Sequence, residues 1–234
     1  MTQPLPIVRA PRAILFDLDG TLADTAPDLA AAVNLLRTER GLAPTAYEVL
    51  RPTASAGARG MIGAAFGLTP EDEGFVALRD AFLSNYEAAL AVRSGLFPGV
   101  GALLDGIEQA GLAWGIVTNK HERFTNPLVP QIGLDGAGCV ISGDTTPHPK
   151  PHPAPLLEAA RRLGLAPEQC WYVGDDLRDI QAGQAAGMAT VAAGWGYCGA
   201  IEPQHWAADF LLTDPLQLLS IVQQFCVANK EMAA

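Results

Sequence analysis

The chain has 234 residues, 49% of them hydrophobic and 17% charged, a composition that sustains a folded core and excludes intrinsic disorder. Fifteen basic against twenty-five acidic residues leave a net charge of −10, a field that repels nucleic acid and anionic membranes, so neither is an expected partner. Small anionic ligands stay open, because a divalent cation reverses the sign of the field locally.

The longest apolar runs, such as 113–117, fall far short of the ~18–20 residues that a membrane-spanning helix needs. The opening segment MTQPLPIVRAPR has no apolar leader core, and a cytoplasmic protein is expected. Cys139, Cys170, Cys198 and Cys226 are scattered without a C-x-x-C pair and read as free thiols of a reducing compartment.

Residues 12–17, Arg-Ala-Ile-Leu-Phe-Asp, form a short apolar run that stops at an acidic, glycine-containing turn. That is the pattern of a buried strand delivering its last residue to the rim of a sheet. From 24 to 93 no strand pattern follows. Leu29, Val33 and Leu36 make one helical face, ended by Gly41, and Phe75, Leu78, Phe82 and Tyr86 make another. The Gly/Ala-rich passage 53–60 between them reads as a flexible loop. The chain returns to strand and helix alternation near Phe97-Pro98-Gly99.

Strands are predicted over 112–118, 138–142, 170–174, 189–193 and 209–213, and helices over 99–110, 153–163, 176–186 and 215–225. Gly111, Gly164 and Gly187 stand where helix C-caps belong. Strand alternating with helix means βαβ crossovers and a mostly parallel sheet. The expected fold class is α/β: a Rossmann-like parallel sheet core built from 1–23 and 94–234, carrying an inserted helical cap at 24–93.

In open α/β sheets ligands sit at the carboxyl ends of the strands. The residues predicted there are Asp17 and Asp19 after the first strand, Thr118 and Asn119 after the second, Lys150 in the Pro-rich loop after the third, and Asp175 with Asp179 after the fourth. A hard Mg²⁺ takes oxygen ligands and keeps some waters, so Asp17, Asp175 and the Asp19 carbonyl suit it, with Asp179 holding a metal-bound water. Asp17 is then a candidate nucleophile and Asp19 a candidate acid/base. Thr118, Asn119 and Lys150 are candidate phosphate-binding groups.

The segment D-L-D-G-T-L-A-D-T at 17–25 resembles the first signature of the haloacid-dehalogenase superfamily. Thr118-Asn119, Lys150 and G-D-D-L-R-D at 174–179 resemble its second, third and fourth signatures, in the right order. The resemblance covers nearly the whole chain. It implies hydrolysis of a small-molecule phosphate monoester with Mg²⁺ as cofactor, through an aspartyl-phosphate at Asp17, in a monomer or homodimer. Within the superfamily the chain looks most like phosphatases that act on phosphoglycolate or on N-acetylmuramic acid 6-phosphate. A dehalogenase would have no use for an acid at Asp19, whereas a phosphomutase of the same fold stays open. A non-catalytic binding protein would be expected to lack one of Asp17, Asp19, Lys150 or Asp175.

Arg59 and Ser55, in the Gly-flanked passage of the cap, are the candidate specificity residues, Arg59 for a substrate carboxylate. Asp176 reads equally as a metal-site residue or a helix N-cap, Asp24 as a cap, and Lys120 equally as a site residue or a solvated side chain. His148 and His152, which flank Lys150, are read as loop-shaping, and Trp195 and Tyr197 as framework.

Overall fold

The computed structural model describes residues 8–232. At the centre of its six-stranded sheet lies β1 (Ala13–Phe16), whose four apolar side chains are all fully buried. Ile14 and Phe16 join the apolar cluster on one face of the sheet, and Ala13 and Leu15 the cluster on the other. Cover on both faces explains why β1 is a continuous apolar run and does not alternate.

Past the loop that carries Asp17 and Asp19 come β2 (Ala23–Asp24) and four helices, α1 (Ala26–Glu39), α2 (Tyr47–Leu50), α3 (Gly57–Phe66) and α4 (Phe75–Ala88). Leu29, Val33 and Leu36 of α1 are buried, as are Phe75, Leu78, Phe82 and Tyr86 of α4, so the helical spacings read from sequence are core faces. The chain returns through β3 (Gly95–Leu96), which pairs antiparallel with β2, Ala23 opposite Leu96 and Asp24 opposite Gly95. Buried Asp28 staples the same junction by accepting from the Arg93 N–H (2.9 Å), the Ser94 N–H (2.8 Å) and the Ser94 hydroxyl (2.7 Å). Two-residue strands are too short to show a period, which is why the pair was not predicted.

The rest of the chain is α5 (Val100–Gln109), β4 (Ala113–Val117), α6 (Glu122–Gln131), β5 (Val140–Ile141), α7 (Ala154–Arg162), β6 (Cys170–Gly174), α8 (Leu177–Ala185), β7 (Ala189–Ala193), β8 (Phe210–Leu212) and α9 (Pro215–Met232). The sheet order is β5-β4-β1-β6-β7-β8, with every neighbouring pair parallel. Helix α6 was not predicted, because Pro127 and Pro130 lie inside it. Burial of Phe124, Thr125, Leu128 and Val129 holds it helical despite them. Among the described residues, no helix is long and apolar enough to cross a membrane.

Phe16 stands opposite Ile116 on one side and Val173 on the other. The residues just past β1, β4 and β6 therefore share one rim, at the point where the chain's order across the sheet reverses.

Candidate active site

Asp17 is the first residue beyond β1, and its N–H still donates to Val173 O at 2.9 Å, so the strand aims its side chain. Asp175 follows β6 and Asp179 lies in the first turn of α8. One carboxylate oxygen from each of the three falls within 4.8 Å of the other two, and all three residues are buried. Asp175 is fixed by the Thr21 hydroxyl on Oδ1 (3.1 Å) and by the Tyr197 N–H (2.9 Å) and Ser55 hydroxyl (3.2 Å) on Oδ2. Gly20 makes this packing possible: its φ is +90°, and a Cβ there would sit 2.1 Å from Asp175 Oδ2.

Lys150 reaches into the cluster from the loop before α7 and is 4% exposed. Its Nζ donates to Val117 O (2.9 Å), Tyr172 Oη (2.8 Å) and Asp179 Oδ1 (2.7 Å), which uses all three protons. Asp17 Oδ1 is a further neighbour of the ammonium at 2.8 Å, yet it accepts no hydrogen bond and is buried. Burial works against the charge on Lys150, but Asp17 and Asp179 outweigh it and raise the lysine's pKa. Burial pushes the Asp17 carboxyl up to about 7, with Lys150 opposing and Asp179 adding to the rise. Asp175 is raised well above the usual range by burial first and then by the charges of Asp17 and Asp179.

Asp19 has a separate set of partners. Its Oδ1 accepts from the Thr25 hydroxyl and, at 2.8 Å, from Lys120 Nζ. Both bonds fall on one oxygen and leave the other for proton transfer. Lys120 is not solvated, one of the two readings its sequence position allowed: its side chain is 7% exposed, and Nζ lies 4.7 Å from the centre of the Tyr86 ring. Burial opposes its charge, but Asp19 and then Tyr86 more than compensate and raise its pKa.

Thr118 is buried at the rim and accepts the Lys120 N–H on Oγ1 (3.1 Å). Asn119, expected on the phosphate, spends both ends of its amide on the Lys150 main chain, accepting from N and donating to O, each at 2.9 Å. It positions the lysine. Asp176 is an N-cap, accepting the Arg178 N–H at 2.9 Å, and it also grips the Arg178 guanidinium at 2.8 and 2.9 Å. Asp24 caps nothing; it accepts from Tyr197 Oη at 2.9 Å, and the same hydroxyl accepts from the Thr25 and Ala26 N–H groups. Tyr197 and Trp195, whose Nε1 donates to Thr21 O at 3.0 Å, thus hold the Asp17 loop as framework.

A cavity of about 570 Å³ opens above this rim, walled on the far side by α4 and the 3₁₀ turn Arg51–Ala56. Ser55 lines it, and so do Asp17, Asp19, Thr118, Asn119, Lys150 and Asp179. Arg59 does not. Gly57 and Gly60 suggested a loop, but α3 begins at Gly57 and Arg59 lies exposed in its first turn, outside the cavity wall. Gly60 serves close packing instead: a Cβ there would lie 2.4 Å from Thr53 O. Sequence reading gave no role to Tyr172, Arg178, Arg79 or Arg123. Tyr172 had a signal, since it lies two residues before Gly174 and period two puts both on one face.

The donor set fits a hard divalent cation. Three buried carboxylates converge with only oxygen to offer, and Asp17 Oδ1 is an orphaned acceptor among them.

The chain's likenesses to known proteins agree with this site. A family model described as haloacid dehalogenase-like hydrolase matches residues 14–193. A phosphoglycolate phosphatase of Xanthomonas campestris is 50% identical over 90% of this chain and 96% of its own. An N-acetylmuramic acid 6-phosphate phosphatase of Pseudomonas putida is 44% identical over the same shares. Among solved structures, a predicted phosphoglycolate phosphatase from Haemophilus somnus superposes with a TM-score of 0.79 at 28% identity, covering 91% of this chain and 98% of that one.

Proposed function

The chain belongs to the haloacid dehalogenase-like hydrolases, and from that premise we propose that it hydrolyses a small carboxylated phosphate monoester through an aspartyl-phosphate at Asp17. It is a phosphoric monoester hydrolase. The observation that carries the mechanism is the orphaned, buried Asp17 Oδ1 facing Asp175, Asp179 and Lys150.

Asp17, Asp175 and Asp179 would hold Mg²⁺, Asp179 through a water. The bound cation supplies the positive charge that lets an anionic carboxylate approach an anionic phosphorus. Lys150 sets its positive charge beside the phosphoryl group, the Thr118 hydroxyl holds a phosphoryl oxygen, and Asn119 keeps Lys150 in register. Asp17 attacks phosphorus as the bond to the leaving oxygen breaks, and Asp19 gives that oxygen its proton. Asp19 then takes a proton from water as the water attacks phosphorus, and phosphate leaves with Asp17 restored. Thr25 and Lys120 keep Asp19 oriented throughout. Helices α1 to α4 act as a cap that closes over the leaving group and excludes bulk water. By their names both relatives act on phosphate esters that also carry a carboxylate, and a cavity of about 570 Å³ admits either.

The test is steady-state hydrolysis of an aryl phosphate, 2-phosphoglycolate and N-acetylmuramic acid 6-phosphate, with Mg²⁺ and after chelation. Turnover that disappears with chelator and returns with Mg²⁺, faster on a carboxylated ester than on the aryl one, is expected. Turnover that persists in chelator would exclude the metal role.

A further inference from the structure

Arg79, Lys120, Arg123, Lys150 and Arg178 all line the cavity. Three of them are committed. Lys150 holds Asp17 and Asp179, Lys120 holds Asp19 at 2.8 Å, and Arg178 holds Asp176 at 2.8 Å with a further bond to Ser55 O at 2.9 Å. Among the described residues, Arg79 leans only on its chain neighbour Asp80, in a pair whose side chains are 43% and 60% exposed. Arg123 stands 3.8 Å from Glu87, at 45% and 51%. Ion pairs this exposed hold weakly and exchange readily for another anion.

Helix α4 presents Arg79, Phe82, Leu83 and Tyr86 to the cavity, at i, i+3, i+4 and i+7. Tyr86 marks the catalytic end, because Lys120 lies against its ring and binds Asp19. The Tyr86 ring and hydroxyl are buried against Lys120. At 1.5 Å per residue, Arg79 is about 10 Å further along the helix, with Phe82 and Leu83 as an apolar wall between. A leaving group that starts at Asp19 therefore runs past an apolar wall to a weakly held guanidinium. A two-carbon acid at the catalytic end stops well short of the guanidinium about 10 Å along α4. A sugar-sized group with an acidic arm spans the whole distance.

We infer that Arg79 is the specificity-determining residue for the carboxylate of a phosphorylated sugar acid. This rests on the phosphatase reading above and replaces Arg59 in the role expected from sequence.

The experiment compares kcat/KM for N-acetylmuramic acid 6-phosphate, N-acetylglucosamine 6-phosphate (the same ring without the acidic arm) and 2-phosphoglycolate, in the wild type, Arg79→Gln and Arg79→Lys. The wild type is expected to prefer the muramic ester over the glucosamine ester at least about ten-fold. Arg79→Gln collapses that ratio toward one, mainly through KM, and Arg79→Lys restores part of it. A ratio is read within each variant, so a general loss of folded protein cancels. Equal losses on both sugar esters in Arg79→Gln, or a wild-type preference for 2-phosphoglycolate, would overturn the assignment and leave the phosphatase reading standing. Hydrolysis of none of the three by the Mg²⁺-loaded wild type would overturn both.

Discussion

Asp17→Asn is expected to lower turnover by a factor on the order of 10⁴ or more while making the metal-free protein more stable at pH 8. The first effect follows if the carboxylate is the nucleophile, since a neutral amide forms no acyl-phosphate. The second follows from the environment. Burial and the neighbouring carboxylates push Asp17 up to about 7 from the ordinary 3.8, so the folded metal-free chain binds more protons than the unfolded one between those values. Stability therefore falls as pH rises through that window, and above pH 7 the whole cost of the charge is present. Asp175, raised in the same sense, deepens the fall. Removing the Asp17 charge relieves a few kcal/mol, on the order of 5 °C or more in Tm at pH 8. Thermal melts of both proteins at pH 5 and pH 8, in chelator and in Mg²⁺, check this. The wild type should lose stability between the two pH values in chelator and regain it with Mg²⁺, and the variant should lose less. Melts with the same pH dependence in both proteins would mean that Asp17 is not the strained group.

Lys150→Met should reverse the sign of the stability effect while also abolishing activity. Its ammonium lies against Asp17 and Asp179, and it also bonds Val117 O and Tyr172 Oη. An apolar replacement leaves those buried carboxylates without a counter-charge, a loss of about 3–5 kcal/mol. Turnover should fall about 10³-fold or more, because the phosphoryl charge loses a neighbouring positive charge as well. A melt in chelator then orders the three proteins as Asp17→Asn, wild type, Lys150→Met, from most to least stable. Lys150→Met at wild-type stability would show that the ammonium is dispensable to the buried cluster.

Strand β1 was legible because burial on both faces demands an unbroken apolar run, and the residue ending such a run falls at the sheet's rim. That the sheet is parallel followed from the alternation of strand and helix. Lys120 was harder: a lysine after a strand end looks the same whether it is solvated or folded under α4, and only tertiary packing against Tyr86 decides. Arg59 misled for a local reason. Glycines at 57 and 60 read as freedom, whereas one opens α3 at positive φ and the other lets the helix pack on Thr53. Asn119 shows the same limit. A polar residue next to Thr118 was expected to face the ligand, but the Lys150 main chain needed its amide first.

Capture of the intermediate tests the central claim most directly. A single turnover of a phosphate ester on the Mg²⁺-loaded enzyme, quenched in acid and mapped by peptide mass, should place one phosphoryl group on the peptide containing Asp17, and none on it in Asp17→Asn. Phosphoryl transfer to any other residue, or full turnover by Asp17→Asn, would contradict the account.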